Sequence, residues 1–468
     1  MFFKSSVIKK TVKQSLLLIA SNRSRYISRR NFLIVLCVLT GVIAGVSAVA
    51  LKRTAIFFEE LLSETVEGSF IQNSFFLYPL IGIVLTVIVT RWLFKGRFES
   101  SVSHIIYSIA RRRSYLNTNN IWGNMLASAL TVSMGGSVGM EAPIVGIGSS
   151  IGSNVGKNFK VTYEERTLLL ASGAAAGLAA IFNCPITGVI FALEVLLFDF
   201  SIPFVIPIIL SSATASVVSQ ILYPEKFFFP ITEGWSLESI PFYILLGVGV
   251  GLLSVYMIRS YLKIEKRYAA INTRWKRVAL GGLPLCLLIF LFPALFGEGY
   301  VMVENLLEGA DYKLVSNSIF SPYISSGWLL LGFAAVIMML KVITASFTIG
   351  AGGNGGIFAP SMFTGAMAGF VFSRFVNLTG LYSTGLTESN FIVAGMAGIV
   401  AGVVHAPLTG IFLIAEITGG YALFIPLMIV TSTSYFVTRY FERYSIYHKS
   451  LALEKGIDFK HRTVTGEL

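Results

Sequence analysis

Long apolar runs alternate with short polar segments along almost the whole chain. Seven of these runs contain no Asp, Glu, Lys or Arg: Phe32–Leu51, Thr167–Leu193, Phe200–Tyr223, Ile240–Ile258, Val278–Gly297, Leu314–Leu340 and Phe391–Ala415. A helix needs about 20 mostly apolar residues to cross the hydrocarbon core of a bilayer. The pattern therefore predicts an all-α, polytopic membrane protein, since the strands of an outer-membrane barrel would alternate between apolar and polar residues.

The composition agrees with this prediction. Of the 468 residues, 54% are hydrophobic and 13% are charged, about half the charged fraction of a soluble protein. Much of the net charge of +12 lies at the N-terminus and in the loop 259–277. Basic residues concentrate on the cytoplasmic side of membrane spans, so both segments are predicted to be cytoplasmic and no nucleic-acid partner is required. The predicted order is a basic segment (1–31), a transmembrane domain (32–455) and a short cytoplasmic tail (456–468).

Residues that could carry catalysis or bind a metal are dispersed. The histidines have no ligand spacing, and the cysteines fall in or beside apolar runs: His104, His405, His448, His461, Cys37, Cys184 and Cys286. We interpret the cysteines as packing residues, without a disulfide framework or a metal site. The sequence also lacks the phosphate-binding loop of an ATPase. We expect no enzyme activity, metal or cofactor, and a membrane-embedded enzyme is the alternative from another class.

Two pairs of glycine- and proline-containing segments recur in the same order. Residues 173–194 (GAAAGLAAIFNCPITGVIFALE) match residues 395–416 (GMAGIVAGVVHAPLTGIFLIAE), 222 positions later. Residues 136–143 (GSVGMEAP) match residues 353–360 (GNGGIFAP), 217 positions later. Paired, broken segments of this kind indicate the substrate site of secondary transporters.

The matches predict two similar halves, roughly 75–220 and 300–440, each with a glycine-rich turn before a helix start. Backbone N–H groups are unpaired at such a start and the positive end of the helix dipole lies there, which favours an anion. The residues expected to form these starts are Gly136, Ser137, Gly139, Gly355 and Gly356. Converging starts would bind an anion without a fixed full charge, so the ion could leave quickly. Cation transport is disfavoured for the same reason.

These motifs resemble those of the CLC family of chloride channels and chloride/proton antiporters, from about Phe32 to Leu453. GSVGMEAP is similar to the family's G-[SK]-x-G-x-E-G-P, whose glutamate is the external gate and corresponds to Glu141. GNGGIFAP is similar to G-x-x-G-G-x-F-x-P, whose anion-binding amides correspond to Ile357 and Phe358. The resemblance implies a prokaryotic-type member without regulatory domains, built from two inverted-topology repeats of tilted and broken helices.

The residues themselves support a gating role for Glu141. An ionised carboxylate is costly among apolar and small residues. A carboxylate can occupy the site of the anion and leave it when protonated. Phe358, a bulky ring after two glycines, suits a constriction, although it could also merely pack.

Two further anion ligands are implied by the resemblance, Tyr447 in SIYHKSL and Ser100 in ESSVS. The second stretch departs from the family's G-S-G-[IV]-P, because Glu99 and Ser101 replace glycines and Ser103 replaces proline. From the residues alone, Tyr447 could be an interfacial aromatic and Ser100 an ordinary turn serine.

Val195 bears on the mode of transport. Many exchangers of the family carry an inner proton-path glutamate at this position, directly after Glu194, and valine cannot carry a proton. The sequence therefore favours a passive channel or weakly coupled conduction. The alternative is a chloride/proton antiporter with a non-standard inner route, because some exchangers lack the inner acid. A fluoride exporter of the same fold is a further alternative.

Other expectations follow from repeat symmetry and from the resemblance. Glu194 and Glu416 end equivalent segments, which suggests a structural capping or pairing role, and Lys341 is expected to be structural or to shape the electric field. The resemblance implies a homodimer in the cell membrane, in contact with lipid, that transports chloride and similar small anions and, as an exchanger, protons.

Overall fold

The apolar runs fold into helices in this computed structural model, which describes residues 28–66, 72–95, 101–111, 113–197, 204–224, 229 and 234–455. The helices are α1 (Arg29–Val66), α2 (Tyr78–Trp92), α3 (Val102–Ala110), α4 (Asn119–Ser133), α5 (Glu141–Asn158), α6 (Tyr163–Phe182), α7 (Pro185–Phe191), α8 (Val205–Leu222), α9 (Ile240–Ala269), α10 (Arg274–Leu291), α11 (Tyr300–Leu307), α12 (Gly327–Ala351), α13 (Phe358–Thr379), α14 (Glu388–Val404), α15 (Pro407–Ile417), α16 (Phe424–Phe441) and α17 (Ile446–Lys455). A π-helical turn, Ala192–Leu196, continues α7. The predicted tail and most of the basic N-terminal segment lie outside the described residues.

Several helices are long and apolar enough to cross a membrane. Within the described ranges there are six: Arg29–Leu61, Phe75–Trp92, Tyr163–Phe182, Val205–Leu222, Leu237–Ala269 and Gly327–Ala351. The third is wholly buried inside the protein, whereas the first exposes Val35, Leu39 and Val46 on its outer face. Apolar side chains on so many outer faces are stable against lipid rather than water. The structure thus confirms the predicted polytopic, all-α membrane architecture.

Both long repeated segments break at the same place. Helix α6 ends at Asn183, whose φ of 60° is left-handed, and α7 begins at Pro185. Helix α14 ends at His405, with φ 62°, and α15 begins at Pro407. A left-handed residue ends a helix, and proline is favoured in the first turn of the next because that turn needs no N–H from it. Each apolar run therefore contains two helices rather than one span.

The same helices pack together in the two halves. Helix α1 packs along α8 as α9 packs along α16, and α5 packs along α6 as α13 packs along α14. The last two crossings are close because glycines face each other there, Gly148 with Gly173 and Gly365 with Gly395. A Cβ on any of the four would collide with the backbone of its opposite glycine. Small residues of this kind allow helix backbones to approach closely in membranes.

Candidate anion site and gate

The two glycine-rich turns pair with each other directly. The amide of Gly139 donates to the carbonyl of Gly356 (2.9 Å), and the amide of Gly356 donates to the carbonyl of Gly139 (2.8 Å). The two residues form an isolated antiparallel bridge. They are also the residues that the 217-position offset aligns. An antiparallel pair between equivalent positions is the contact expected at a two-fold axis, so the turns meet at the axis that relates the repeats.

Two threonines fix these turns from the preceding helices. Thr131 of α4 accepts a hydrogen bond from the amide of Asn354 (3.0 Å), and Thr348 of α12 accepts one from the amide of Ser137 (3.3 Å). All four residues are buried. The threonines are 217 positions apart, as are Ser137 and Asn354, so each half satisfies a buried amide of the other. This reciprocal pair lies within the same repeat, but neither threonine was among the predicted site residues.

The helices that follow the turns begin at equivalent residues. Helix α5 begins at Glu141 and α13 begins at Phe358. The predicted starts Gly136, Ser137, Gly139, Gly355 and Gly356 lie in the two turns. Unpaired N–H groups and the positive ends of two helix dipoles are therefore brought to adjoining positions, an arrangement that favours an anion between them.

The Glu141 side chain lies in this junction. It is 3% exposed, and its Oε1 accepts a hydrogen bond from the hydroxyl of Tyr300. Its Oε2 accepts no hydrogen bond from the described residues, and the carboxyl group lies near the backbone amide of Ala359 at the start of α13. A Cβ at Gly139 would collide with this carboxylate and with the Ala359 methyl group. The carboxylate thus occupies the space between the two helix starts.

A turn before α11 contacts the region of Glu141 from the other side, and none of its residues was among the predicted site residues. Glu298 Oε1 accepts the amide of Met140 (2.9 Å), the residue before Glu141. Lys341, fully buried on α12, donates from Nζ to the carbonyls of Gly297 (2.7 Å) and Leu295 (3.3 Å). The available signal was the acid in the stretch GEGY at the end of an apolar run, since intramembrane acids are often functional. These contacts are of the structural kind expected for Lys341, and its influence on the electric field stays a prediction.

Aromatic rings line the space beside the carboxylate. Phe358 is 2% exposed, and its ring centroid lies 6.4 Å from that of Phe182, which lies 6.4 Å from that of Tyr300. Ile357 is also buried. The rings exclude water, which strengthens the attraction of the helix starts for charge.

Of the two further anion ligands predicted, Tyr447 and Ser100, the structure describes only Tyr447. Tyr447 is buried in α17, within electrostatic reach of Glu141. Its carbonyl accepts a hydrogen bond from Ser103 (2.8 Å) of α3, so the α3 and α17 starts are joined. Ser101 caps α3 by accepting the amide of Ser103 (3.1 Å). Ser100 and Glu99 lie outside the described residues.

Val195 occupies the position where many exchangers of the family carry the inner glutamate, and it packs in the hydrophobic core. It is 6% exposed, within the π-helical turn. Its neighbour Glu194 accepts hydrogen bonds from the amides of Leu408 (3.1 Å) and Thr409 (2.8 Å) and from the Thr409 hydroxyl (2.8 Å). Glu416 does the same for α7, which confirms the capping role expected for both glutamates. In the described part of the chain, no group of three or more His, Cys, Asp and Glu residues could hold a metal ion.

Comparison with known proteins decides the family. The sequence profile of the voltage-gated chloride channels matches residues 87–439. The chain belongs to the CLC family of chloride channels and transporters. As a CLC protein it transports anions across a membrane, and the resemblance of its motifs to that family is confirmed.

Relatives of this CLC protein include both channels and exchangers by name. It is 28% identical to the H(+)/Cl(-) exchange transporter ClcA of Vibrio parahaemolyticus over 333 residues, covering 68% of this chain and 67% of the relative. It is 27% identical to the voltage-gated ClC-type chloride channel ClcB of Escherichia coli over 334 residues, covering 70% and 74%. A slow cyanobacterial Cl-/H+ antiporter of known structure matches with a TM-score of 0.73 at 22% identity, covering 93% and 100%. At that identity the last match establishes the CLC fold alone.

Proposed function

We propose that this protein is a chloride-selective CLC transporter of the cell membrane whose pathway is gated by Glu141. One observation carries the proposal: the Glu141 carboxylate occupies the junction of two dipole ends, where a transported anion would be favoured. The carboxylate and the anion compete for the same position because both are negative and both suit the same N–H groups. Protonation removes the charge of Glu141, so the side chain can leave and an anion can enter.

The anion pathway runs from this gate towards Tyr447. Arg259, in the second half of α9, pairs with Glu442 (2.6 Å), just before α17. The segment 259–277 is not the loop that the sequence predicted, because α9 continues to Ala269 and α10 begins at Arg274. Its basic charge still predicts a cytoplasmic position, which places Tyr447 in the inner part of the pathway. The amides of Ile357 and Phe358 and the hydroxyl of Tyr447 are the proposed ligands, with Ser100 as the inner serine. An N-terminus in the cytoplasm is consistent with this orientation.

The proposed mode is passive or weakly coupled conduction. Proton exchange needs a titratable group within reach of the inner side. Val195 supplies none, and the adjacent Glu194 is engaged in three hydrogen bonds that cap α15. Using Glu194 as a proton carrier would disturb the cap of α15, and an unsatisfied amide at the buried Thr409 would cost about 1–3 kcal/mol.

The second candidate is chloride/proton antiport with a non-standard inner route. It is favoured by the name of a relative, an exchange transporter. In that case the proton would reach Glu141 from the inner side without passing position 195. A homodimer with one pathway per subunit is proposed for both modes.

Chloride efflux from proteoliposomes, with simultaneous recording of the outside pH, tests the proposal. We expect chloride efflux with little proton movement, and Glu141→Gln should conduct chloride independently of pH. Stoichiometric proton uptake driven by the chloride gradient would establish the exchanger instead. A Glu141→Gln protein with unchanged pH dependence would contradict the gating role. Fluoride efflux exceeding chloride efflux, or cation-dependent efflux, would contradict the proposed selectivity.

A further inference from the structure

Glu298 brings a second carboxylate to the start of α5. Its Oε1 accepts the amide of Met140 (2.9 Å), the residue immediately before Glu141. The flanking glycines Gly297 and Gly299 have φ values of 63° and 99°, a left-handed conformation that only glycine adopts readily. This backbone conformation presents the Glu298 side chain to the helix start.

The position of this turn is external in the proposed orientation. The basic segment 259–277 comprises the end of α9, a short connection and the first turn of α10, and α10 runs for 18 residues from Arg274 to Leu291. The residues after Leu291 therefore lie at the end of α10 opposite to its basic start. Glu298 is partly exposed, whereas Glu141 is almost wholly buried. Glu298 is therefore the carboxylate closer to the external solution.

Several charged or titratable groups face Glu298. They are Glu141 of α5, Lys341 of α12 and Lys52 of α1, together with Tyr300, two residues further along its own turn. The Lys341 Nζ donates to two backbone carbonyls and forms no ion pair with Glu298 among the described residues, so it offsets the Glu298 charge only in part. Tyr300 in turn donates to Glu141. The segment 298–300 therefore contacts the proposed gate at two points. Glu298 accepts the amide of Met140, the residue before Glu141, and Tyr300 donates to the Glu141 carboxylate.

We propose that Glu298 is a positioning residue of the gate, whose negative charge at the first amides of α5 sets the external pH at which Glu141 leaves the anion pathway. The inference rests on the proposed gating role of Glu141. Two nearby carboxylates in a poorly solvated site resist being ionised together, so one of them tends to be protonated. Glu298 is the more exposed of the two and keeps its charge more readily. That charge favours the protonated, open form of Glu141 at a milder pH than Glu141 would need alone.

Glu298→Gln tests the charge without removing the contact. Glutamine keeps the shape of the side chain and an oxygen that can accept the Met140 amide, but it carries no charge. Chloride efflux is measured as a function of pH on each side of the proteoliposome in turn. We expect the external pH of half-maximal efflux to move about one unit towards acid, the size of shift that a neighbouring charge produces. Efflux as a function of internal pH should move less.

Glu304→Gln is the matched control. Glu304 lies on α11 close to Glu298 in sequence, but it is exposed, so solvent and salt screen its charge. We expect no change in the pH of half-maximal efflux for this variant. An equal shift for both variants would mean that net charge at the external surface, and not the placement of Glu298, determines the pH, and would overturn the inference.

Glu298→Asp supplies an independent test should the glutamine variant fail to fold. It keeps the charge and shortens the side chain, so the pH of half-maximal efflux should stay near that of the wild type. An acid shift in this variant would overturn the inference, as would an unshifted Glu298→Gln protein. The gate itself is judged separately by Glu141→Gln: if that variant retains pH dependence, the proposed function fails, and if it loses pH dependence while Glu298→Gln is unshifted, only the role of Glu298 fails.

Discussion

Glu194 and Glu416 each cap a helix of the other repeat. The carboxylate of Glu194 accepts the amides at the start of α15, and that of Glu416 accepts the amides of Ile186 (3.0 Å) and Thr187 (2.8 Å) at the start of α7. Both capped helices begin at a proline, two residues after a residue in the left-handed conformation. The repeats are therefore joined by charge at their broken helices and by backbone pairing at their glycine-rich turns.

The two caps should contribute equally to stability. Each carboxylate accepts three hydrogen bonds through its two oxygens. A glutamine at either position has one acceptor oxygen and no charge, so at least one bond is lost and the others are weakened. We expect each variant to lose about 1–3 kcal/mol in the free energy of unfolding, seen as loss of the monodisperse protein on heating in detergent. Glu304→Gln, at an exposed site, is the control. Unequal losses would show that the reciprocal contacts are not energetically equivalent.

Tyr300→Phe should make it easier for the Glu141 side chain to leave its position between the helix starts. The variant removes the hydroxyl that donates to Glu141 while keeping the ring that packs near Phe182. Hydrogen bonds to charged groups contribute about 1.5–3 kcal/mol, so we expect chloride efflux at neutral pH to rise roughly tenfold. Tyr382→Phe, which removes a phenol bound to Glu238 (2.9 Å) away from the gate, should leave efflux unchanged. Equal efflux in the wild type and Tyr300→Phe would contradict a holding role for this hydroxyl.

Val195→Glu tests whether the missing inner acid limits proton movement. A carboxyl group at this buried position is costly when ionised, so it is expected to bind a proton readily. We expect measurable proton movement in the direction opposite to chloride, recorded in the same efflux assay. Val195→Gln is the matched control because it is similar in shape and carries no titratable group. Chloride efflux without any proton movement in both variants would show that another barrier separates this position from Glu141.

The reciprocal threonines give a symmetric pair of substitutions. Thr131→Val and Thr348→Val each leave one buried amide without its acceptor, at Asn354 and Ser137 respectively. We expect a loss of about 1–3 kcal/mol in each and slower chloride efflux, because the turns before both helix starts would loosen. Thr40→Val, which removes a buried hydroxyl bonded only within its own helix, should cost less and leave efflux unchanged.

The sequence predicted the elements that periodicity and repetition encode. Apolar runs indicated the spans, and the two offsets aligned Gly139 with Gly356 before their pairing was visible. Glu141 was identifiable because an ionisable residue among apolar residues of a membrane segment is costly and usually has a function. The interactions of the gate were not identifiable in the same way, because Tyr300 and Glu298 are about 160 positions away and belong to no repeated motif. Their proximity results from the path of α10 across the protein, which local pattern does not encode.

The predicted ligand Ser100 shows a second limit of prediction from sequence. Motif similarity alone related Ser100 to the anion pathway, and the physical properties of a serine near a helix start do not distinguish a ligand from a cap. Ser101, the next residue, is indeed the cap of α3. The side-chain chemistry at such a position is compatible with either role, and only the neighbouring chain decides between them.

The Gly139–Gly356 bridge has a consequence for how the protein is made. Its two partners are separated by more than two hundred residues, so the first half of the chain is synthesised and inserted before the second glycine leaves the ribosome. Closing so long a loop is slow compared with local helix formation. The helix start that carries Glu141 must therefore wait in the bilayer without its partner, and the protein acquires its anion pathway only when the second repeat docks. A truncated chain ending before Gly356 would insert helices and yet have no transport site.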